Sequence, residues 1–120
     1  MLTINKIFPQ EKIPEKTESF LFFDIETTGF SRDNTILYLI GCGYFAEEGF
    51  QFIQWFNDDG TSEEEILLAF QNILVKKDWQ LVTFNGNSFD IPYLKRHYDL
   101  NELTCDIEKY PSLDFYQFLK

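Results

Sequence analysis

The sequence predicts an α/β fold: a mixed sheet of three antiparallel strands, followed in order by helix, strand, helix and strand. Three observations predict it. Three apolar runs, Phe20–Ile25, Ile36–Phe45 and Phe50–Phe56, are separated by short polar breaks, which is how a meander reads. Residues 62–77 switch to helical spacing. A fourth apolar run, Trp79–Phe84, then leads through an Asn/Gly break into another helical stretch.

The elements follow in chain order. Residues 1–19 read as an N-terminal arm or edge segment, because Pro9 and Pro14 disfavour a central strand. Phe20 to Phe23 is wholly apolar and reads as a strand buried on both faces. Ser31 to Thr35 is a loop. Ile36 to Phe45 is a strand whose Gly41 and Gly43 permit close packing or a bulge. Ala46-Glu47-Glu48-Gly49 is a hairpin turn. In the next strand Phe50, Phe52, Gln54 and Phe56 share one face, and Gln51, Ile53 and Trp55 the other. Ser62-Glu63-Glu64-Glu65 has the form of a capping box. Ile66, Leu67, Phe70, Ile73 and Leu74 continue it as a buried helical stripe, closed by Lys76 and Lys77. The Glu triplet is read as ordinary first-turn acids, not as a metal site. Trp79 to Phe84 is a short strand, and Phe89 to Tyr98 a helix with Pro92 in its first turn. Ser112 to Leu119 is a last strand, or a strand passing into a helix.

Composition narrows the class. At 120 residues and 44% hydrophobic content the chain is one globular domain, and its 14 Phe imply a bulky aromatic core. No apolar run is long enough to cross a bilayer, and the first residues lack the apolar centre of a secretion signal; the expected location is cytoplasmic. The net charge of -10 argues against broad, non-specific attraction to nucleic acid. Cys42 and Cys105 lack metal-ligand spacing, and Cys42 reads as a buried free thiol.

Two stretches carry chemistry. Asp24 and Glu26 are two apart at the end of the first strand, so they share a face while Ile25 points to the core. Adjacent carboxylates repel, and a hard divalent cation with oxygen ligands removes the cost. Thr27, Thr28 and Gly29 follow, with Gly29 permitting a sharp turn. Taken alone, an Asp-x-Glu pair reads as two solvated acids at the end of a strand. The second stretch, Asn85-Gly86-Asn87 leading to Asp90, repeats the design: a strand ends, a flexible loop follows, and a carboxylate stands where a helix begins. Alone, Asp90 reads as a helix-capping acid. His97, the single histidine, reads as a surface or structural residue, and Lys95 and Arg96 as phosphate contacts or a solvated face.

Together, Phe22-Phe23-Asp24-Ile25-Glu26-Thr27-Thr28-Gly29 and Thr83-Phe84-Asn85-Gly86-Asn87-Ser88-Phe89-Asp90-Ile91-Pro92-Tyr93-Leu94 resemble the DEDD (DnaQ-like) superfamily of 3′–5′ exonucleases, and most closely its YprB-like branch. Leu39-Ile40-Gly41 and Leu113-Asp114-Phe115-Tyr116 also resemble that branch. The resemblance spans about residues 20–120 and implies a ribonuclease H-like fold. It implies that Asp24, Glu26 and Asp90 are three of four acidic ligands to two Mg²⁺ or Mn²⁺ ions. It implies that Thr27, Thr28, Gly29, Asn85, Gly86 and Asn87 contact the terminal nucleotide of a nucleic acid, single-stranded at its 3′ end. The family's fourth Asp and its preceding His or Tyr base have no counterpart before Lys120, so residues 20–120 are expected to be an exonuclease domain lacking its C-terminal part. The expected consequences are weak activity and a homodimer formed through an exposed C-terminal apolar surface. The alternatives are a catalytically inactive ribonuclease H-like module that binds nucleic acid or a protein, and an acidic metal-binding domain.

Overall fold

The structure is a computed structural model and describes residues 1–9 and 19–116. Its strands are β1 (Leu2–Pro9), β2 (Phe20–Thr27), β3 (Leu37–Ala46), β4 (Gly49–Phe56), β5 (Gln80–Thr83) and β6 (Ser112–Asp114). The helices α1 (Glu63–Leu74) and α2 (Asp90–Leu100) flank β5, and a short 3-10 turn, Ile107–Lys109, precedes β6. The strands form one sheet in the order β1-β4-β3-β2-β5-β6. The four strands on the β1 side are antiparallel to their neighbours, and β5 and β6 run parallel to β2. This is an α/β ribonuclease H-like mixed sheet.

Within the expected arm, residues 2–9 form an edge strand. Leu2 pairs with Phe56 and Pro9 with Gly49, so the proline ends the ladder at the rim, where its missing N–H costs nothing. The remainder of the arm, residues 10–18, lies outside the described residues, as do residues 117–120 of the C-terminal apolar run.

Both helices pack on one face of the sheet. The parallel strands β4, β5 and β6 advance across the sheet in one direction, and right-handed crossovers through α1 (β4 to β5) and α2 (β5 to β6) then place both helices on the same side. Leu21, Phe23 and Ile25 of β2, Ile40 and Cys42 of β3, and Ile53 and Trp55 of β4 are buried there in one cluster with Ile66, Leu67 and Phe70 of α1 and Leu94 and Tyr98 of α2. Phe70 is its centre, with ring centroids 5.2 Å from Phe23 and 6.5 Å from Trp55. Buried polar atoms are paired: Tyr98 donates to the Leu67 carbonyl at 2.6 Å and Trp79 to the Ile73 carbonyl at 2.9 Å. Cys42 is a buried free thiol, pushed up to about 12 by burial.

The opposite face carries Phe22, Leu39, Phe50, Phe52, Phe84 and Phe115 around a depression of about 620 Å³ with Asp24 on its margin. Gly43 is required here, because a Cβ would stand 2.4 Å from the Phe50 ring. The irregularity in the meander is not at the β3 glycines but at Tyr38 of β3, the extra residue where Glu26 pairs with Leu39 and Thr27 with Leu37. Ser62 does precede α1, but its hydroxyl makes no helix cap. It donates to Asp59 at 2.7 Å and receives the Met1 amino group at 3.0 Å. The helix also ends at Leu74, so Lys76 and Lys77 lie beyond its last turn.

Candidate active site

Three adjacent parallel strands end at one edge of the sheet. Asp24 and Glu26 lie near the end of β2, Asn85 to Asn87 follow β5, and Asp114 closes β6. Clefts outside the carboxyl ends of parallel strands are where open α/β sheets bind ligands.

The strand lengths explain why Asp90 is buried. β5 is short and pairs only with Phe20 to Phe22, so β2 runs past it. The Ile25 N–H on that side has no strand partner and donates to Asp90 Oδ2 at 3.2 Å. Asp90, the first residue of α2, is only 5% exposed. Burial first, and then the Asp24 carboxylate beside it, push Asp90 up to about 7; the Ile25 N–H opposes this. Asp114 adds a smaller repulsion. The structure therefore brings Asp24 and Asp90 together. Glu26 is exposed where β2 loses register with β3. Among the described residues no group of three His, Cys, Asp or Glu side chains is gathered to hold a metal ion.

The two candidate substrate loops are internally bonded. Thr27 donates to the Gly29 carbonyl at 2.6 Å, and the Thr28 hydroxyl accepts the Ile36 N–H at 2.9 Å. Gly29 faces Thr35, whose Cγ2 would be 3.2 Å from an added Cβ. In the second loop the left-handed residue is Asn85, with φ 63°, a conformation that Asn tolerates better than most residues. Asp114 holds this loop, accepting the Asn85 N–H at 2.6 Å and the Asn87 N–H at 3.1 Å. The Ser112 hydroxyl donates to the Asn87 side chain. Beside the carboxylates Phe30 is 90% exposed, its ring edge-on to Phe89.

Gly86 has a different role from the one its sequence context suggests. An added Cβ would lie 2.3 Å from Thr83 Oγ1 and 2.5 Å from its Cβ, and Thr83 is buried. The glycine thus makes room for its own strand end. Gly86→Val should destabilise the fold by about 1–3 kcal/mol, beyond any effect on binding. Thermal melts check this: Gly86→Ala should lose stability, and adding Thr83→Ala, which keeps the Thr83 Cβ, should recover only part of it. Equal melting of Gly86→Val and wild type would refute the clash.

Asp114 was readable in principle, since it ends an apolar strand as Asp24 does. Glu63 was not, because its partners are distant: it accepts from the Leu37 N–H at 3.0 Å and from Asn101 at 2.8 Å, and meets His97 at 2.9 Å.

Comparison with known proteins gives the family. The sequence model described as the RNase_H superfamily matches residues 21–120. The chain belongs to the RNase H superfamily. A DNA polymerase of Pyrococcus glycovorans is 35% identical over 86 residues, covering 62% of this chain and 11% of the polymerase. The family B DNA polymerase of the hyperthermophilic archaeon Pyrobaculum calidifontis has the same fold, with a TM-score of 0.69 at 16% identity over 92% of this chain and 17% of its own. This RNase H superfamily domain therefore spans less than a fifth of either polymerase. Among its described residues no helix is long and apolar enough to cross a membrane.

The donor set fits a hard cation. A magnesium-type ion is commonly held by one or two carboxylates, with water and substrate phosphate completing its shell. Asp24 and Asp90 supply two such carboxylates, and their mutual repulsion is what a cation relieves.

Proposed function

We propose that this RNase H superfamily domain is a metal-dependent 3′–5′ exonuclease of the DEDD type, close to the YprB-like branch and related to the exonuclease domains of family B DNA polymerases. The observation that carries this is the Asp24–Asp90 carboxylate pair at the ends of parallel strands. In this reading Asp24 and Asp90 hold Mg²⁺ or Mn²⁺, and Glu26 joins them when metal and substrate bind. A bound divalent ion would supply Lewis acidity, activating water and stabilising the leaving 3′ oxygen. Asn85 to Asn87 and Thr27 to Gly29 line the approach from either side. The exposed Phe30 ring offers a base a surface to stack on.

A second reading is an inactive module that binds nucleic acid without cutting it. It is favoured by the lack of a three-ligand group among the described residues.

Calorimetric titration with Mn²⁺, paired with degradation of end-labelled single-stranded oligonucleotides, separates the two. The exonuclease reading expects Mn²⁺ binding that weakens at least about tenfold in Asp24→Asn, with metal-dependent loss of 3′ nucleotides by the wild type. Equal Mn²⁺ affinity in both proteins would overturn the metal assignment. Binding of oligonucleotide with no cleavage would favour the inactive module.

A further inference from the structure

His97 sits on α2 about two turns after Asp90, and its side chain is 3% exposed. Its Nε2 lies 2.7 Å from the Arg32 carbonyl oxygen and its Nδ1 2.9 Å from Glu63 Oε1. A carbonyl only accepts, so Nε2 must donate. Glu63 is held as an acceptor too. Burial works against its ionisation, but hydrogen bonds from His97, Asn101 and the Leu37 N–H outweigh it, and its carboxyl lies below the usual range. Both ring nitrogens therefore face acceptors.

The same helix grips the same loop at two further points. Tyr93 stacks on the His97 ring, with centroids 4.0 Å apart, and its hydroxyl meets Thr35 Oγ1 at 2.9 Å. Arg96 pairs with Asp33 at 2.7 Å. The base of the loop is closed by Thr28 and Ile36, each N–H bonded to the other residue. Residues 28–36 are thus a strap that leaves the end of β2, lies on α2 and returns to β3. Of its three ties, those through His97 and Tyr93 are buried on the helix side.

We propose that His97, held at both ring nitrogens, is a positioning residue that latches the 28–36 strap onto α2 and thereby fixes Thr27 to Gly29 beside the Asp24–Asp90 pair. The link to nucleic acid rests on the proposed function; the latch itself does not. Among the described residues the titratable groups against the ring are Glu63 of α1 and Tyr93 of α2, with the Arg96–Asp33 pair on an adjoining turn. The latch depends on the imidazole ring, whose two nitrogens reach the strap carbonyl of Arg32 and the Glu63 carboxylate at once.

Two measurements without nucleic acid test the latch. The ¹⁵N shifts of the His97 ring should show a proton on Nε2, which faces the Arg32 carbonyl. Native-state hydrogen exchange of the Thr28 and Ile36 amides should speed up on the order of tenfold in His97→Gln, while core amides of β3 stay protected. A ring with Nε2 bare, or unchanged Thr28 and Ile36 exchange in His97→Gln, would overturn the latch. Oligonucleotide binding then tests the link: a weakening in His97→Gln at unchanged Mn²⁺ affinity supports it. Intact exchange results with no oligonucleotide bound by wild type would remove the proposed function and leave the latch standing.

Discussion

Asp90→Asn raises the thermal stability of the domain at neutral pH while removing its response to divalent metal. In the folded chain Asp90 is pushed up to about 7 from an ordinary 3.8, chiefly by burial and then by Asp24. A carboxyl that holds its proton more tightly folded than unfolded lowers stability once it is ionised. That cost is absent below about pH 4, grows as pH rises through the folded value, and is constant above it. Asparagine keeps what the site needs structurally, since its Oδ1 can accept the Ile25 N–H and its Nδ2 can donate to Asp24. At about 1.4 kcal/mol per pH unit, with roughly half lost to relaxation and solvent around Asp24, the gain is about 2 kcal/mol. For a domain of this size that is about 6–10 °C in Tm. Melts at neutral and at acid pH check it: the variant's advantage should shrink toward pH 4. Added Mn²⁺ should raise the wild-type Tm and leave the variant unmoved. A variant less stable than wild type at neutral pH would show that the carboxylate pair carries no strain.

What was legible in the sequence follows from how local each cause is. The alternation of Phe50 to Phe56 and the stripe Ile66, Leu67, Phe70, Ile73, Leu74 fixed strand and helix, because period and burial coincide there. The strand β1 was obscured because an edge strand is solvated, and its residues are exposed almost throughout. Ser62 marked the helix start correctly, yet its hydroxyl turns to Asp59, a competitor that a four-residue signature cannot weigh. Glu63 reads locally as a first-turn acid, and that reading is complete for the helix dipole. Its bonds to Leu37, His97 and Asn101 span at least 26 residues, so no short pattern carries them. At the candidate site the juxtaposition of Asp24 with Asp90 follows from two strand ends meeting. The exposed setting of Glu26 follows from the alternation it shares with Asp24, whereas the register shift after Glu26 leaves no mark in the alternation. Gly86 shows the same limit at close range, since freedom for a ligand and room for Thr83 give one residue type.

Asp114→Ala should be the most damaging single change at this edge of the sheet. The carboxylate is 3% exposed and accepts three backbone N–H groups: Asn85 at 2.6 Å, Asn87 at 3.1 Å and Tyr116 at 3.0 Å. Alanine leaves all three without that acceptor, and one belongs to Asn85, already in the left-handed region. Since the loop is half-exposed, water recovers part of the loss, and the expected cost is about 2–4 kcal/mol, or roughly 10 °C in Tm. Asp114→Asn should fall between the two proteins, because one of its two terminal atoms becomes a donor facing a donor. Asp114 also repels Asp90, so its removal carries a partly compensating gain. A double-mutant cycle isolates that gain: Asp114→Ala should cost more in an Asp90→Asn background than in wild type, because the repulsion it relieves is already gone. Faster amide exchange should be confined to residues 85–87 and the start of α2. If Asp114→Ala melts within about 0.5 kcal/mol of wild type, the loop is held by its own turn geometry and not by this carboxylate.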